Sequence, residues 1–425
     1  MADKIILLAL CGAADRPADG PTPLDQARLP HLDALSVRGA LGTLTVIDSD
    51  IPPESDSGAL ALLGYEPIEH YTGRGPLEGF GNGFLRPRAD VSTVCFRLNM
   101  ASYDAGTQRF DRRTARDLSD VELQGLLDEV RTGVSLADHD AGFEVMGFGR
   151  HRGVLALHSA TRKLSGNVTN TDPEYDRVGA FGVPRRHHGD GPVRCCPLDF
   201  STASRDTANL VEIFLARSAS VLAASEINRT RLANGKLAAN QIIVRDGGDR
   251  LPELRPFREL HGRTLTLYGQ VPAERGLARL MDAAWVDCRR AAEMNETTYY
   301  ADLAEAVAKD SADVVYVHVK GADEAAHDRD FDGKVTALER VDQLLIAELL
   351  PRMRPVDTLL VTGDHATPWR AGIHTADPVP VLAVGGGVEP DGCTSFTETA
   401  ARAGSLGHRR ACELLSTVTA YRAGR

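Results

Sequence analysis

Residues 357–384 read DTLLVTGDHATPWRAGIHTADPVPVLAV. The apolar run Asp357 to Thr362 ends in Gly-Asp-His, and a second run, Val379 to Val384, begins a few residues after His374. Short apolar runs bounded by Gly, Pro and polar residues mark buried strands, and functional side chains gather where such strands end. The pattern recurs at Ile5 to Leu10, which stops at Cys11-Gly12, and at Asp313 to Val319 (DVVYVHV), which runs into KGADEAAHDRD. These four segments are expected in one sheet, with Ile5 to Leu10 a buried parallel strand. Apolar residues spaced at three and four over Tyr300 to Ala308 and Val335 to Leu350 put helices between strands, so the sequence predicts a doubly wound α/β layer.

Residues from roughly 89 to 255 look different, with shorter apolar segments, many Arg and Asp, and a loop-like run from Asp172 to Pro197. An inserted, smaller α+β domain is expected at 89–255, within a core domain made of 1–88 and 256–425. A chain of 425 residues that is 43% hydrophobic can bury two such cores. The net charge of -11 argues against nucleic acid or an anionic membrane as partner, so any phosphate must be held by a local cluster. MADKIILLAL is too short an apolar run for a secretory leader and nothing later reaches a spanning length, which predicts a cytoplasmic protein. Seven scattered cysteines without a CxxC pair suit buried thiols better than a disulfide framework. A homo-oligomer is an open alternative.

Asp323 and His327 stand four apart after an apolar strand, a spacing that puts carboxylate and imidazole on one helical face. Asp364 and His365 are adjacent where a second strand turns into a loop, and His374 precedes a third. One Asp-x-x-x-His alone is commonly an exposed ion pair, but Asp/His elements at three successive strand ends form a constellation. Mixed carboxylate and imidazole donors favour zinc or manganese, with magnesium as the remaining option. Two such divalent metal ions about 4 Å apart can clamp the attacking and leaving oxygens of a displacement at phosphorus.

Ser55, in PPESDSGALALLGY, stands at the start of a helical run. Ser55, Asp56 or Ser57 can serve there as a helix cap, and a hydroxyl at a helix N-terminus can equally become a nucleophile. Arginine grips phosphate and carboxylate in a two-pronged way. Arg74 in YTGRGPLE, Arg112, Arg113 and Arg116 in DRRTAR, and His151-Arg152 in HRG are therefore candidates for a basic substrate pocket, with Lys320 a further one.

ADRP, SDSGALALLGYEP, YTGRGPLEG, DRRTAR, HRGVLAL, NTDP, GKLAANQIIVR, KGADEAAHD, GDHATP and HTADPVPVL follow one another nearly end to end. In this order they make the chain resemble the archaeal-type, cofactor-independent phosphoglycerate mutases of the alkaline phosphatase superfamily. The resemblance implies an alkaline-phosphatase-like core, with Ser55 taking up and returning the phosphoryl group and the inserted domain holding the glycerate. It further implies that Asp323, His327 and His374 hold one metal ion, that Asp364, His365 and Ser55 hold the second, and that Arg74, Arg113, Arg116, Arg152 and Lys320 bind substrate.

Two positions depart from the family pattern. Cys11 stands where a metal-ligand aspartate is usual, either as a thiolate ligand that favours zinc or as a protonated, structural thiol beside a weakly held ion. Ala59 stands where a histidine is usual. A phosphomutase interconverting 2- and 3-phosphoglycerate or a close analogue is therefore expected. The alternatives are a specialised mutase or phosphatase acting on a phosphonate or another phosphorylated hydroxy acid, and a non-catalytic binding homologue.

Overall fold

Strand Ile5–Leu10 lies at the centre of an eight-stranded sheet because all six of its residues are apolar and every one is buried. The computed structural model describes residues 3–85, 90–185, 191 and 193–423. Across the sheet the strands run Ala284–Asp287, Leu265–Gly269, Val314–Val319, Ile5–Leu10, Thr358–Thr362, Val379–Gly385, Ala40–Thr45 and Gly407–Arg410. Ile5–Leu10 pairs in parallel with both neighbours, Ile5 facing Val314 on one side and Thr358 on the other. Val379–Gly385 is antiparallel to both strands beside it, so the sheet is mixed rather than wholly parallel. Apolar alternation does not encode strand direction, which is why the sequence left this open.

On one face Ile6, Leu8, Leu10, Val315, Val317, Leu359 and Val361 pack with Leu32, Leu35, Tyr300, Leu303, Val307, Leu338 and Leu345 from the covering helices. Each such side chain contributes about 1.5–3 kcal/mol by leaving water. Helix Glu296–Lys309 covers the stretch expected from spacing. The second expected helix is not uniform: Phe331–Arg340 passes through a wider π turn at Val341–Ile346 before Ala347–Leu349.

The chain divides into two units, Met1–His70 with Glu253–Arg425, and Tyr71–Pro252. The boundary expected at residues 88–89 lies outside the described residues. The second unit begins earlier than that, because Arg74–Gly81 packs so closely on strand Ser92–Asp104 that a Cβ on Gly75 would stand 2.4 Å from the Cys95 carbonyl oxygen. Its five-stranded sheet is antiparallel, with Ser92–Asp104 between Arg152–Ser159 and Gln241–Gly248, and it packs on helices Asp120–Gly133 and Thr202–Ala223. No helix among the described residues is long and apolar enough to cross a membrane.

A buried carboxyl in the first unit carries a pH prediction. Glu398 accepts hydrogen bonds from the Asp15 backbone N–H and the Thr22 hydroxyl, both at 2.8 Å, but its burial pushes its pKa up from 4.5 to about 7. A carboxyl raised on folding contributes stability that is full below its unfolded pKa and is lost as pH rises through the folded one. Stability should therefore fall between pH 5 and 8 by up to about 3 kcal/mol from this group. Glu398→Gln should flatten that decline in denaturant titrations, and an unchanged slope would remove Glu398 as its source.

Candidate metal centre

The sequence-predicted ligands converge at one edge of the large sheet. Cys11 follows strand Ile5–Leu10, Asp323 and His327 belong to helix Ala322–His327 after Val314–Val319, and Asp364 and His365 follow Thr358–Thr362. His374 reaches the same edge because it precedes the one antiparallel strand, entering where the others leave. Two glycines permit this crowding. Gly12 has φ +62°, and a Cβ there would lie 2.8 Å from Asp323 Oδ1 and Thr367 Oγ1. Gly58 lets helix Ser55–Leu62 approach until a Cβ would stand 2.3 Å from the Asp364 carbonyl oxygen.

Asp323 Oδ1 lies 3.5 Å from both His327 Nε2 and His374 Nε2, which are 3.2 Å apart. Donors about 2.0–2.1 Å from a tetrahedral ion stand roughly 3.3 Å from each other, so the three atoms have the spacing of a ligand set. Their protonation agrees. His327 Nδ1 is 2.9 Å from the Gly372 carbonyl oxygen and His374 Nδ1 is 2.9 Å from that of Pro53. A carbonyl only accepts, so each Nδ1 carries a proton and each Nε2 is the nitrogen turned toward the cluster.

His365 is held the same way. Its Nδ1 donates to Thr367 Oγ1 at 3.0 Å, and that hydroxyl donates to Asp323 Oδ1 at 2.9 Å. Burial holds His365 down to about 4, leaving it neutral at pH 7, and its Nε2 lies 3.7 Å from Cys11 Sγ and 3.4 Å from Asp364 Oδ2. Burial would raise Asp323, but the hydrogen bond and charge of His374, with His365 and His327, keep it well below the usual carboxylate range. Buried anions of this kind call for a cation, and the set suits divalent metal ions. Burial, together with Asp364 and Asp323, pushes the Cys11 thiol up to about 11.

Thr367→Val removes both bonds that orient His365 and Asp323. Metal affinity should fall by about 10–100-fold in competition titrations with a chelating dye, and an affinity within twofold of the parent would show that the bridge does not matter.

Ser55 is the first residue of its helix and is 5% exposed, with Oγ 3.7 Å from Cys11 Sγ. It is not the cap: Glu54 occupies that position, and the Ser57 hydroxyl accepts from the Glu54 N–H at 3.0 Å. Ala59 is fully buried on the same helix. Lys320 is half-buried beyond Val319, and its charge is among those acting on Cys11. The sequence reading missed His318, which points from inside Val314–Val319 at Asp364 Oδ2, 3.2 Å away. A lone polar residue within VVYVHV was the signal that could have found it.

The arginine candidates lie in the second unit. Arg112 is ion-paired with Asp172 and, at 3.0 Å, with Glu174, while Arg74 bonds Glu78 at 2.8 Å. Arg113 is half-buried, and Arg116 and Arg152 are exposed. Burial lowers His151 to about 3, and the charges of Arg152, Arg113, Arg97 and Arg112 add to the effect, so the neutral imidazole sits in a strongly cationic region. Arg97 and Arg245, the latter stacked 3.8 Å over the Tyr175 ring, were not singled out from sequence because they lie inside strands.

Residues 37–228 match the family model described as 2,3-bisphosphoglycerate-independent phosphoglycerate mutase. A protein of that name from Aeropyrum pernix is 35% identical over 411 residues, covering 95% of this chain and 96% of the relative. One from Archaeoglobus fulgidus is 34% identical, covering 97% and 96%. Among solved structures, a Pyrococcus horikoshii protein superposes with a TM-score of 0.76 at 26% identity, covering 100% of this chain and 98% of the other. The cofactor-independent phosphoglycerate mutase of Thermoplasma acidophilum shares the fold, with a TM-score of 0.58 at 24% identity and 99% and 100% coverage.

Proposed function

The chain belongs to the 2,3-bisphosphoglycerate-independent phosphoglycerate mutase family, and from that premise we propose that it interconverts 2- and 3-phosphoglycerate through a phosphoserine at Ser55. The observation that carries this reading is the Ser55 hydroxyl, free of a capping role and held beside Cys11 at the edge of the ligand cluster. In the first half-reaction Ser55 Oγ attacks phosphorus as the P–O bond to the glycerate breaks, and the proton the serine gives up ends on the departing glycerate oxygen. In the second, the neighbouring hydroxyl displaces Ser55 and takes the phosphoryl group back. The N-terminus of helix Ser55–Leu62 supplies backbone N–H groups that favour a phosphoryl group at that position.

Asp323, His327 and His374 are assigned to one divalent ion, and Asp364, His365, Cys11 and Ser55 to the other, with zinc or manganese as the metal. When bound, such ions neutralise phosphoryl oxygens and lower the pKa of a serine hydroxyl. Lys320 contributes charge against the phosphate. Arg74, Arg113, Arg116, Arg152 and His151 are assigned to anionic groups of the substrate, and Arg112, tied to Asp172, to holding that region in shape.

Incubation of 3-phosphoglycerate with the protein and manganese or zinc should yield 2-phosphoglycerate. No turnover with any divalent metal would overturn the proposal. Cys11 and Ala59, both fully buried near Ser55 in sequence or space, favour one second reading, a phosphatase or a mutase of another phosphorylated or phosphonate acid. Release of inorganic phosphate in place of 2-phosphoglycerate would select it.

A further inference from the structure

His318 has no task in the reaction just described. It is fully buried in strand Val314–Val319, opposite Ala9 in the register. Its Nε2 lies 3.2 Å from Asp364 Oδ2 and its Nδ1 lies 2.6 Å from Glu274 Oε1. None of these four atoms makes a hydrogen bond of acceptable angle. A buried polar atom left so costs about 1–3 kcal/mol, and Nε2 and Oδ2, side by side, can both be satisfied by a single third partner.

Glu274 fixes which nitrogen is available. It is fully buried in the first turn of helix Pro272–Leu280, and its Oε2 accepts from the backbone N–H groups of Gln270 at 3.2 Å and Val271 at 3.3 Å. A carboxylate oxygen 2.6 Å from an imidazole nitrogen requires a proton between them, since two lone pairs at that distance repel. Nδ1 therefore carries a proton, and Nε2 is the nitrogen that faces Asp364 Oδ2, where an arriving cation would displace any proton it holds. Donor atoms of Cys11, His318 and Asp364 lie within 4.8 Å of one another, and all three residues are buried.

We propose that His318 is a further ligand of the second metal ion, grouped with Cys11 and Asp364 beside His365 and Ser55, with Glu274 as its positioning residue, and that this donor set selects zinc. The inference rests on the two-ion reading above. One thiolate, one carboxylate and two imidazoles balance a divalent charge among fully buried side chains. A sulfur and two nitrogens make the set softer than an oxygen-rich shell, which favours zinc over manganese and magnesium. The thiol proton of Cys11 passes to solvent when the ion binds. Ser55 Oγ, 3.7 Å from the sulfur, is the remaining donor and the hydroxyl to be activated.

The test uses the full chain, stripped with a chelator and titrated with zinc against a chromophoric competitor, then with cobalt(II) as a spectroscopic stand-in. The parent should take two equivalents, one of which gives a near-ultraviolet thiolate-to-cobalt band that Cys11→Ser abolishes. Glu274→Gln should weaken that equivalent by about 10–100-fold, and His318→Asn by at least as much while shifting the visible cobalt bands. Both variants should keep the equivalent held by Asp323, His327 and His374, which also reports that they fold. Should His318→Asn lose both, Glu274→Gln decides the matter. Two equivalents with unchanged affinities and cobalt spectra in the variants would overturn the role of His318 alone. A parent that binds fewer than two ions overturns the two-ion reading, and the role of His318 with it.

Discussion

Replacing Ser55 by alanine should lower phosphoglycerate mutase turnover by about 10⁴-fold or more, the scale on which enzymes respond to loss of a nucleophile. The expectation is specific because Ser55 does little else. Glu54 and Ser57 cap the helix between them, so the alanine variant should keep its melting temperature. Its ligands other than Oγ are untouched, so the ion at Asp323, His327 and His374 should remain. Phosphorylated peptide containing residue 55, trapped by acid quench of the parent with substrate, should be missing from the variant. A variant with more than about one per cent of parental turnover would transfer the nucleophile's role elsewhere.

The second large effect is on stability. Lys334, fully buried on helix Phe331–Arg340, donates to the carbonyl oxygens of Ala14 (3.1 Å) and Thr367 (2.9 Å) and to Asp15 Oδ2 (3.0 Å). One ammonium thus ties the loop after Cys11 to the loop after His365. Lys334→Met leaves the Asp15 carboxylate, itself 3% exposed, without its cation and strands two carbonyls. Breaking a buried pair from one side costs about 3–5 kcal/mol, and urea midpoints should fall accordingly. Adding Asp15→Asn should recover part of the loss, because the two residues are coupled. Equal losses in the single and double variants would mean that the carbonyls, not the ion pair, set the cost.

What the sequence disclosed follows from where chemistry sits on an α/β sheet. Asp323, Asp364, His365 and His374 were legible because each lies just outside an apolar run, where a ligand interrupts a pattern. His318 was not sought because its interruption falls inside the run, where a polar side chain reads as an incidental core residue. Glu274 is harder still: it comes from ERGLARL, 44 residues before His318, and only the folded sheet brings it to the imidazole. The arginines show a different limit. Arg112, in DRRTAR, is held by two bonds to Asp172, which lies 60 residues on, and spacing alone cannot reveal that pairing.

The central strand also bears on how this molecule comes off the ribosome. Ile5–Leu10 emerges ahead of both its partners, Val314–Val319 and Thr358–Thr362, which arrive more than 300 residues later. The second unit, continuous from Tyr71 to Pro252, can finish its sheet in that interval. The nascent IILLAL segment meanwhile waits as an uncovered apolar edge, so growth temperature and chaperone supply should limit soluble yield before any intrinsic weakness of the finished fold does.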